Sequence, residues 1–587
     1  MTRHQGSQEP DSSFARTNSL SRRQFLAGAA ALGAVGWTPV FGVTSAAASQ
    51  TPPNFPASIA LYKQAFQNWS GEIMVDDVWT CVPQTSDDVV TVANWALANG
   101  YRIRPRGMGH TWTPLTVPAG SSSANVVLVD TTQHLTTVTI NGPGSPATVV
   151  AQAGVTMDVL LATLEQAGYG LTATPAPGDL TIGGVLAIDG HGTAIPAQGE
   201  TPVPGHTYGS VSNLIVSLTA VVWDPSSGQY ILRTFARSDP ATRALLVHIG
   251  RTFVTEVTLQ VGINTRLRCQ SRVDISAATL FAAPGSGGSQ TFASFVESAG
   301  RVETIWFPFT SNPWLKVWTV SPTKPLSARE VDSPYNYVFS DTIPKVASNL
   351  ISEIEAGNGA VTPTFGQTQY SIVSAGLVST DTMDIWGWSK NLLLYIRPTT
   401  LRVTANGYAV LTNRGNIQRV VSEFAAYYQS RLAAYQAQGS YPVNGAMEIR
   451  VTGLDVPGDV EVPSAGSPQL SALRPRPDHP EWNVAVWLDV LTIPGTPQAD
   501  QFYCDLETWI FGNYTGSYAA VRPEWSKGWA YTNSATWADP TVLTSTIPNA
   551  YRVGQMVGDD WDAAIGALDA YDPHHIFANA FLDTLLP

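Results

Sequence analysis

The sequence predicts an α+β chain of two large domains, and three observations carry that expectation. The chain has 587 residues, more than a single hydrophobic core normally serves. Between residues 86 and 168, short helical and strand patterns alternate. Past about residue 265 the pattern changes to longer strand-like runs with helices between them.

Taken in order, the first element is an address rather than part of the fold. Ser21-Arg22-Arg23-Gln24-Phe25-Leu26 opens an apolar run that reaches Trp37, and Ala46-Ala47-Ala48 precedes Ser49. A paired arginine, an apolar stretch and a small-residue cleavage site are the layout of a twin-arginine signal peptide, assigned to residues 1–48. This predicts a secreted protein. No later segment is apolar over about 18 residues, so the rest is expected to be soluble.

Residues 86–100 read as a helix. Ser86 can cap it, Asp87 and Asp88 suit its positive end, and Val89, Val92, Ala93, Ala96 and Leu97 form one stripe. Gly100 suits the stop. Residues 102–104, 126–129 and 149–153 read as strands. Thr156 then caps a helix that runs to Ala167 and stops at Gly168. In the second half, residues 302–307, 447–451 and 483–491 read as strands and 416–437 as a helix. Residues 285–289 and 457–480 are loops by their Gly, Pro, Ser and Asp content.

Composition excludes several functions. The chain is 44% hydrophobic and 13% charged, which predicts a large apolar core. Its net charge of −13 repels phosphate, so no nucleic-acid partner is expected. Cys81, Cys269 and Cys504 are too few and too scattered for a metal site, and no metal is expected; they read as buried thiols with at most one disulfide. The glycine pairs Gly107/Gly109, Gly190/Gly192 and Gly285/Gly287 all lack the third glycine of a Rossmann fingerprint. G-x-S-x-G, H-E-x-x-H and C-x-x-C do not occur, against common hydrolase and metal plans.

Two segments carry ligand-binding chemistry. In Arg104-Pro105-Arg106-Gly107-Met108-Gly109-His110-Thr111-Trp112, glycines on either side of one residue let successive backbone N–H groups face an anion such as pyrophosphate. An ordinary strand-to-loop turn would use the same residues. In the stretch from Pro177 to Thr193, five glycines lie within seventeen residues, among small apolar side chains. That composition lets backbone approach a flat ligand, and a glycine-rich loop-helix junction would share it.

The pair, in this order, resembles the vanillyl-alcohol oxidase flavoprotein family. Tyr208-Gly209-Ser210-Val211-Ser212-Asn213, Gly250-Arg251-Thr252-Phe253-Val254-Thr255-Glu256-Val257 and Asp572-Pro573-His574-His575-Ile576-Phe577-Ala578-Asn579 look like further signatures of that family. The resemblance implies a two-domain vanillyl-alcohol-oxidase-type fold. An FAD-binding domain of two α/β subdomains would span residues 49–265. A substrate domain with a large antiparallel sheet flanked by helices would span 266–545, and 546–587 would return to the FAD domain. FAD would be bound by Arg106, Gly107, Met108, Gly109, His110, Thr111, Pro177, Gly178, Thr181, Ile182, Gly183, Gly184, Gly192, Tyr208, Gly209, Val254 and Asn579. It would be covalently joined to His110 through the flavin 8α-methyl.

Candidate catalytic residues lie in the second half. Alternation in Met447-Glu448-Ile449-Arg450-Val451 puts Glu448 and Arg450 on one strand face, their Cα atoms about 7 Å apart. The pattern fits a structural ion pair or a site equally well. Glu303 shares a strand face with Ile305 and Phe307, so burial there would raise its pKa and suit it to moving protons, and a strand-edge glutamate in water fits the pattern equally well. These strands, with Arg522-Pro523-Glu524-Trp525-Ser526-Lys527, resemble the sugar- and sterol-oxidising branch of the family, and most closely its secreted, covalently flavinylated class of bacterial cholesterol oxidases. The resemblance implies oxidation of a 3β-hydroxysterol to the ketone, Δ5 to Δ4 isomerisation, and reduction of O₂ to H₂O₂. Sterol and O₂ would be the partners, with transient membrane contact for sterol extraction. Glu448 would be the base, Arg450 would stabilise the alkoxide or reduced flavin, Lys527 would lie near the flavin and Glu303 would isomerise. The alternatives are an alditol or aldonolactone oxidase and a non-catalytic sterol-binding protein. Length of the second domain, aromatic content and export favour the sterol oxidase. His191, flanked by glycines, has a less certain role, whereas His4, His134, His206, His248 and His479 default to structure.

Overall fold

The computed structural model describes residues 51–118, 125–335, 337 and 343–587. The expected export signal lies outside the described residues.

Three sheets organise the described residues. The first has the order Ala60–Gln67, Met74–Val82, Val126–Asp130, Arg102–Arg106. Its outer hairpin is antiparallel and its other pairs are parallel. Helix Ser86–Asn99 makes the crossover and buries Val89, Val92, Ala93, Trp95 and Ala96. Its cap is Thr85 rather than the expected Ser86. The Thr85 side chain accepts from Asp88 N, and Asp88 Oδ2 accepts from Thr85 N at 3.0 Å. This reciprocal arrangement needs an acid three residues after the cap, which Asp88 supplies for Thr85. Gly100 ends the helix in the left-handed conformation.

The second sheet, antiparallel, has the order Val138–Asn141, Ala147–Gln152, Phe253–Ile263, Ile215–Asp224, Gln229–Ala236. Helix Met157–Gln166 follows Thr156, which makes no side-chain cap bond because its hydroxyl donates to the Asp158 carboxylate instead. The glycine-rich segment feeds a short helix, Ile182–Ala187.

The third sheet has nine strands: Arg329–Glu330, Asp384–Trp388, Arg266–Arg272, Trp314–Val320, Arg301–Trp306, Met447–Gly453, Val484–Thr492, Thr404–Thr412 and Ala520–Pro523. All neighbours are antiparallel except the first pair. The three strands expected from the second-half pattern stand side by side in it. Their apolar faces belong to one core, which also takes in Val149, Leu160 and Leu259 from the second-sheet region. Helix Ile417–Ala437 buries Val420, Val421, Phe424 and Tyr428 in that core.

The C-terminal stretch lies against the first sheet. Ile103 N donates to Ile576 O at 2.8 Å. The Asn579 amide donates to Pro114 O and Leu115 O at 3.0 and 3.1 Å. All three cysteines are free; Cys81 and Cys269 are buried, whereas Cys504 is partly exposed. Among the described residues, no helix is long and apolar enough to cross a membrane, and no cluster of His, Cys, Asp or Glu could hold a metal ion.

Candidate active site

A cavity of about 440 Å³ lies where the two glycine-rich segments meet the nine-stranded sheet. The first wall is the loop after strand Arg102–Arg106: Gly107, Met108, Gly109, His110 and Thr111 line it. Two glycines are required there. A Cβ on Gly107 would stand 2.4 Å from Thr181 Oγ1, and Gly109 has φ +71°. The loop is stitched down at its far end. Trp112 N donates to Ser526 O at 2.8 Å, and the Thr113 hydroxyl bonds Trp525 O and Lys527 O at 2.6 and 2.8 Å. The His110 ring stacks on Trp69, centroids 4.0 Å apart, and its Nε2 is 3.1 Å from Asp179 Oδ1.

Pro177, Thr181, Gly183, Gly184, Gly192 and Val254 line the second wall. Six residues expected to touch the cofactor do not reach the cavity surface. Arg106 turns toward Asp130, 4.0 Å away. Gly178 gives its carbonyl to Asp158 N at the start of helix Met157–Gln166. Ile182 is wholly buried in the core. Tyr208 donates to Glu200, and Gly209 stands against Leu454 and Asp455. Asn579 braces the loop at Leu115 from behind. The family signatures thus mix residues that form the wall with residues that support it. The wall itself, nearly free of side chains and edged by a histidine, fits a flat cofactor carrying an anionic tail.

The opposite wall is charged. Strand register puts Glu303 across from Arg450 on one side and from Lys316 on the other. Glu303 is 1% exposed, and three side chains donate to it. Lys316 Nζ is at 3.0 Å, Arg450 Nε at 2.8 Å and the Tyr395 hydroxyl at 2.8 Å from both oxygens. Arg450 also donates to Glu448 and, at 2.5 Å, to Asp489. Lys527 bonds Asp489 and, at 3.1 Å, Glu524. Glu524 lies 3.6 Å from Nε2 of His191, whose ring stacks on Trp487 at 3.7 Å. Glu303, Glu448, Arg450, Lys527 and His191 all line the cavity.

These contacts reverse one expectation. Burial works to raise the Glu303 carboxyl, but Lys316, Arg450 and Tyr395 outweigh it and hold it at about 2. Sequence neighbours showed the apolar surroundings and not the two cations brought in by adjacent strands. Glu448 goes the other way. Burial raises it, Arg450 and Lys527 pull it down, Glu303 and Asp489 push it up, and the net shift is upward. Among the described residues, the four carboxyls Glu303, Glu448, Asp489 and Glu524 are paired with three side chains of fixed positive charge, Lys316, Arg450 and Lys527. Asp489 is pushed upward as well by burial, but it is wholly buried away from the cavity with two of those cations bonded to it, whereas Glu448 reaches the cavity surface. Glu448 is therefore the carboxyl on this wall best placed to gain and lose a proton.

Sequence reasoning missed Asp179, Lys316, Tyr395, Asp489 and Glu524 as site residues. Two of them left a signal. Lys316 alternates with Trp314 and Trp318 along one strand, and Asp489 is the lone charge in the apolar run Val484–Thr492. Tyr395 sits in irregular backbone past the short helix Ser389–Leu393, and nothing nearby marks it.

Comparison with known proteins bears on this arrangement. A family described as "Cholesterol oxidase, substrate-binding" matches residues 266–587, and one described as "FAD binding domain" matches residues 80–224. No curated protein matches. Among solved structures, one titled "Solvent-stable cholesterol oxidase" is 61% identical with TM-score 0.91, covering 92% of this chain and all of its own. The cholesterol oxidase from Brevibacterium sterolicum is 49% identical with TM-score 0.90 at the same coverage, as is a histidine-to-alanine mutant of it.

Proposed function

From the premise that this chain belongs to the cholesterol oxidase family and is an FAD-dependent alcohol oxidase, we propose that it oxidises a 3β-hydroxysterol to the 3-ketone and shifts the double bond from Δ5 to Δ4, with FAD joined covalently to His110. The observation that supports a sterol over a sugar is the lining beside Glu448 and Arg450: Ile305, Phe307, Val373, Leu393 and Leu491. An apolar ring system gains by burial there, whereas a polyol would lose its hydroxyl hydration without partners. FAD held there would supply the acceptor for the carbinol hydride, with O₂ as the final acceptor giving H₂O₂.

The chain's own groups handle the proton and the charge. Glu448 takes the hydroxyl proton. Arg450 sets positive charge where the alkoxide develops, and Lys527 adds to it. Glu303 keeps Arg450 in place from below. The isomerisation first expected of Glu303 passes to Glu448. An anion with both oxygens committed to three donors does not hold the proton that must travel from C4 to C6, while a carboxyl with a raised pKa does. Sterol enters by transient contact with a membrane.

Purified protein is expected to release peroxide with cholesterol and not with xylitol. Turnover of xylitol with cholesterol inert would establish the polyol reading, and a colourless protein inactive on both would establish a binding role.

Export through the twin-arginine route is part of the same proposal, supported by Arg22, Arg23 and the Ala46-Ala47-Ala48 site. Changing Arg22 and Arg23 together to Lys should leave oxidase activity in the lysate and remove it from the medium. Undiminished secretion would refute the assignment.

A further inference from the structure

His110 is held by two contacts of different kinds. Trp69 fixes the plane of the ring, at 4.0 Å and 16°. Asp179 fixes which nitrogen bears hydrogen. A carboxylate oxygen only accepts, so at 3.1 Å from Nε2 it selects the tautomer with hydrogen on that atom. Nδ1 then keeps its lone pair, and it has no hydrogen-bond partner among the described residues. Both side chains are mostly buried, at 12% and 16% exposure, so water competes little for the bond.

Asp179 is itself anchored. The carbonyl before it, on Gly178, accepts from Asp158 N, and the carbonyl after it, on Leu180, accepts from Met157 N, each at 2.8 Å. Its backbone is thus tied on both sides to the first turn of helix Met157–Gln166, and its side chain makes no other bond among the described residues. A carboxylate clamped so firmly, with its one contact on the histidine at the cavity edge, has a task at that histidine.

We propose that Asp179 is the positioning residue for attachment of FAD to His110: it presents Nδ1 to the flavin 8α-methyl and takes the Nε2 proton as the bond forms. The inference rests on the reading that FAD is joined through His110. In the step, a bond forms between Nδ1 and the methyl carbon. One methyl C–H bond breaks, its proton goes to solvent, and the electron pair stays on the ring system. The Nε2–H bond also breaks, its proton going to Asp179. O₂, the acceptor in the oxidase reaction, removes the electron pair and takes up two protons as H₂O₂. Overall, methyl and imidazole lose one hydrogen each and peroxide gains both.

The test uses the full chain. Wild type, Asp179→Ala, Asp179→Asn and His110→Ala are produced with excess riboflavin, and flavin that survives acid precipitation is followed over time. Wild type should hold its flavin in the acid pellet. Asp179→Ala should bind FAD, keep its melting temperature and attach the flavin about 10²-fold more slowly, with added formate restoring the rate. Asp179→Asn keeps the shape and loses the proton acceptor, and it should be slow as well. Attachment at the wild-type rate in either Asp179 variant would overturn the inference while leaving the His110 reading intact. Flavin released by acid from wild type, or kept by His110→Ala, would overturn that reading and the inference with it.

Discussion

Glu448→Gln should slow oxidation of a 3β-hydroxysterol by about 10²–10⁴, the usual loss when a positioned general base is removed. The amide keeps the size of the carboxyl and can still accept from Arg450, so the ion network loses one charge and not its geometry. The step affected is removal of the hydroxyl proton as hydride leaves the carbinol carbon. Anaerobic stopped-flow bleaching of the flavin reports that step alone. The pH dependence carries the same signature. The base form of Glu448 is required, and its pKa lies above the usual carboxylate range. Wild-type reduction should therefore fall as pH drops through that raised value, and the Gln variant should lose this limb. Absorbance of the conjugated enone follows the second reaction, and added Δ5-3-ketone should isomerise slowly in Glu448→Gln. A Glu448→Gln enzyme with the wild-type rate and pH profile would remove Glu448 from the mechanism. Normal reduction in Glu448→Gln with slow isomerisation only in Glu303→Gln would return that second task to Glu303.

The other large effect is on stability. Lys316→Met should destabilise the fold by about 3–5 kcal/mol at neutral pH, the cost of breaking a buried ion pair from one side. Lys316 is wholly buried. Its ammonium lies 3.0 Å from Glu303 and within a box of rings, 3.1 Å from the centre of Tyr395 and 4.8 Å from that of Trp318. Methionine fills the volume and removes both the charge and the cation–π attraction. The pH dependence has a definite sign. The folded pKa of Glu303 is held below its ordinary 4.5, at about 2. Its contribution to stability is therefore present above about pH 4.5 and lost as pH falls toward 2. The gap between wild type and Lys316→Met should be widest at neutral pH and narrow in acid. The lysine does not gain as its partner does, since burial outweighs the pull of Glu303 and pushes its ammonium below the ordinary lysine value. Removing the whole pair should consequently cost less than removing half of it, so Lys316→Met with Glu303→Gln should melt above Lys316→Met alone. Equal melting of wild type and Lys316→Met at neutral pH would show that Glu303 is satisfied by Arg450 and Tyr395 without help.

Helix Ser86–Asn99 and strand Met447–Gly453 were legible because their periodicity is local: one apolar stripe, and one alternation with charge on a single face. The same alternation put Glu448 and Arg450 together. It was silent on Lys316 and Asp489, because strand neighbours come from register, which residue pattern along one strand does not contain. That silence is why the Glu303 carboxyl was expected to rise and instead falls. Ile305, two positions on, and Phe307 beyond it share its face in the pattern, but a lysine and an arginine lie directly across the ladder. The cofactor wall shows a different limit. Motif resemblance located the loop and His110, but motifs include braces as well as contacts, so Tyr208, Gly209 and Asn579 were grouped with residues that line the cavity. Asp179 was in view inside the glycine-rich stretch; only the fold brings it to His110.

The bonds from Trp112 and Thr113 to residues 525–527, and from Asn579 to residues 114 and 115, span more than 400 positions of chain. During synthesis the glycine loop therefore emerges long before the segments that tie it down. A ribosome-bound chain that has reached residue 500 carries the anion-binding amides and His110 but neither Lys527 nor the C-terminal brace. Firm flavin capture thus waits until residues 525–527 and Asn579 have been made. A chain arrested near residue 520 should stay colourless in flavin-rich cells, so yellow colour doubles as a report that synthesis has passed the bracing segments.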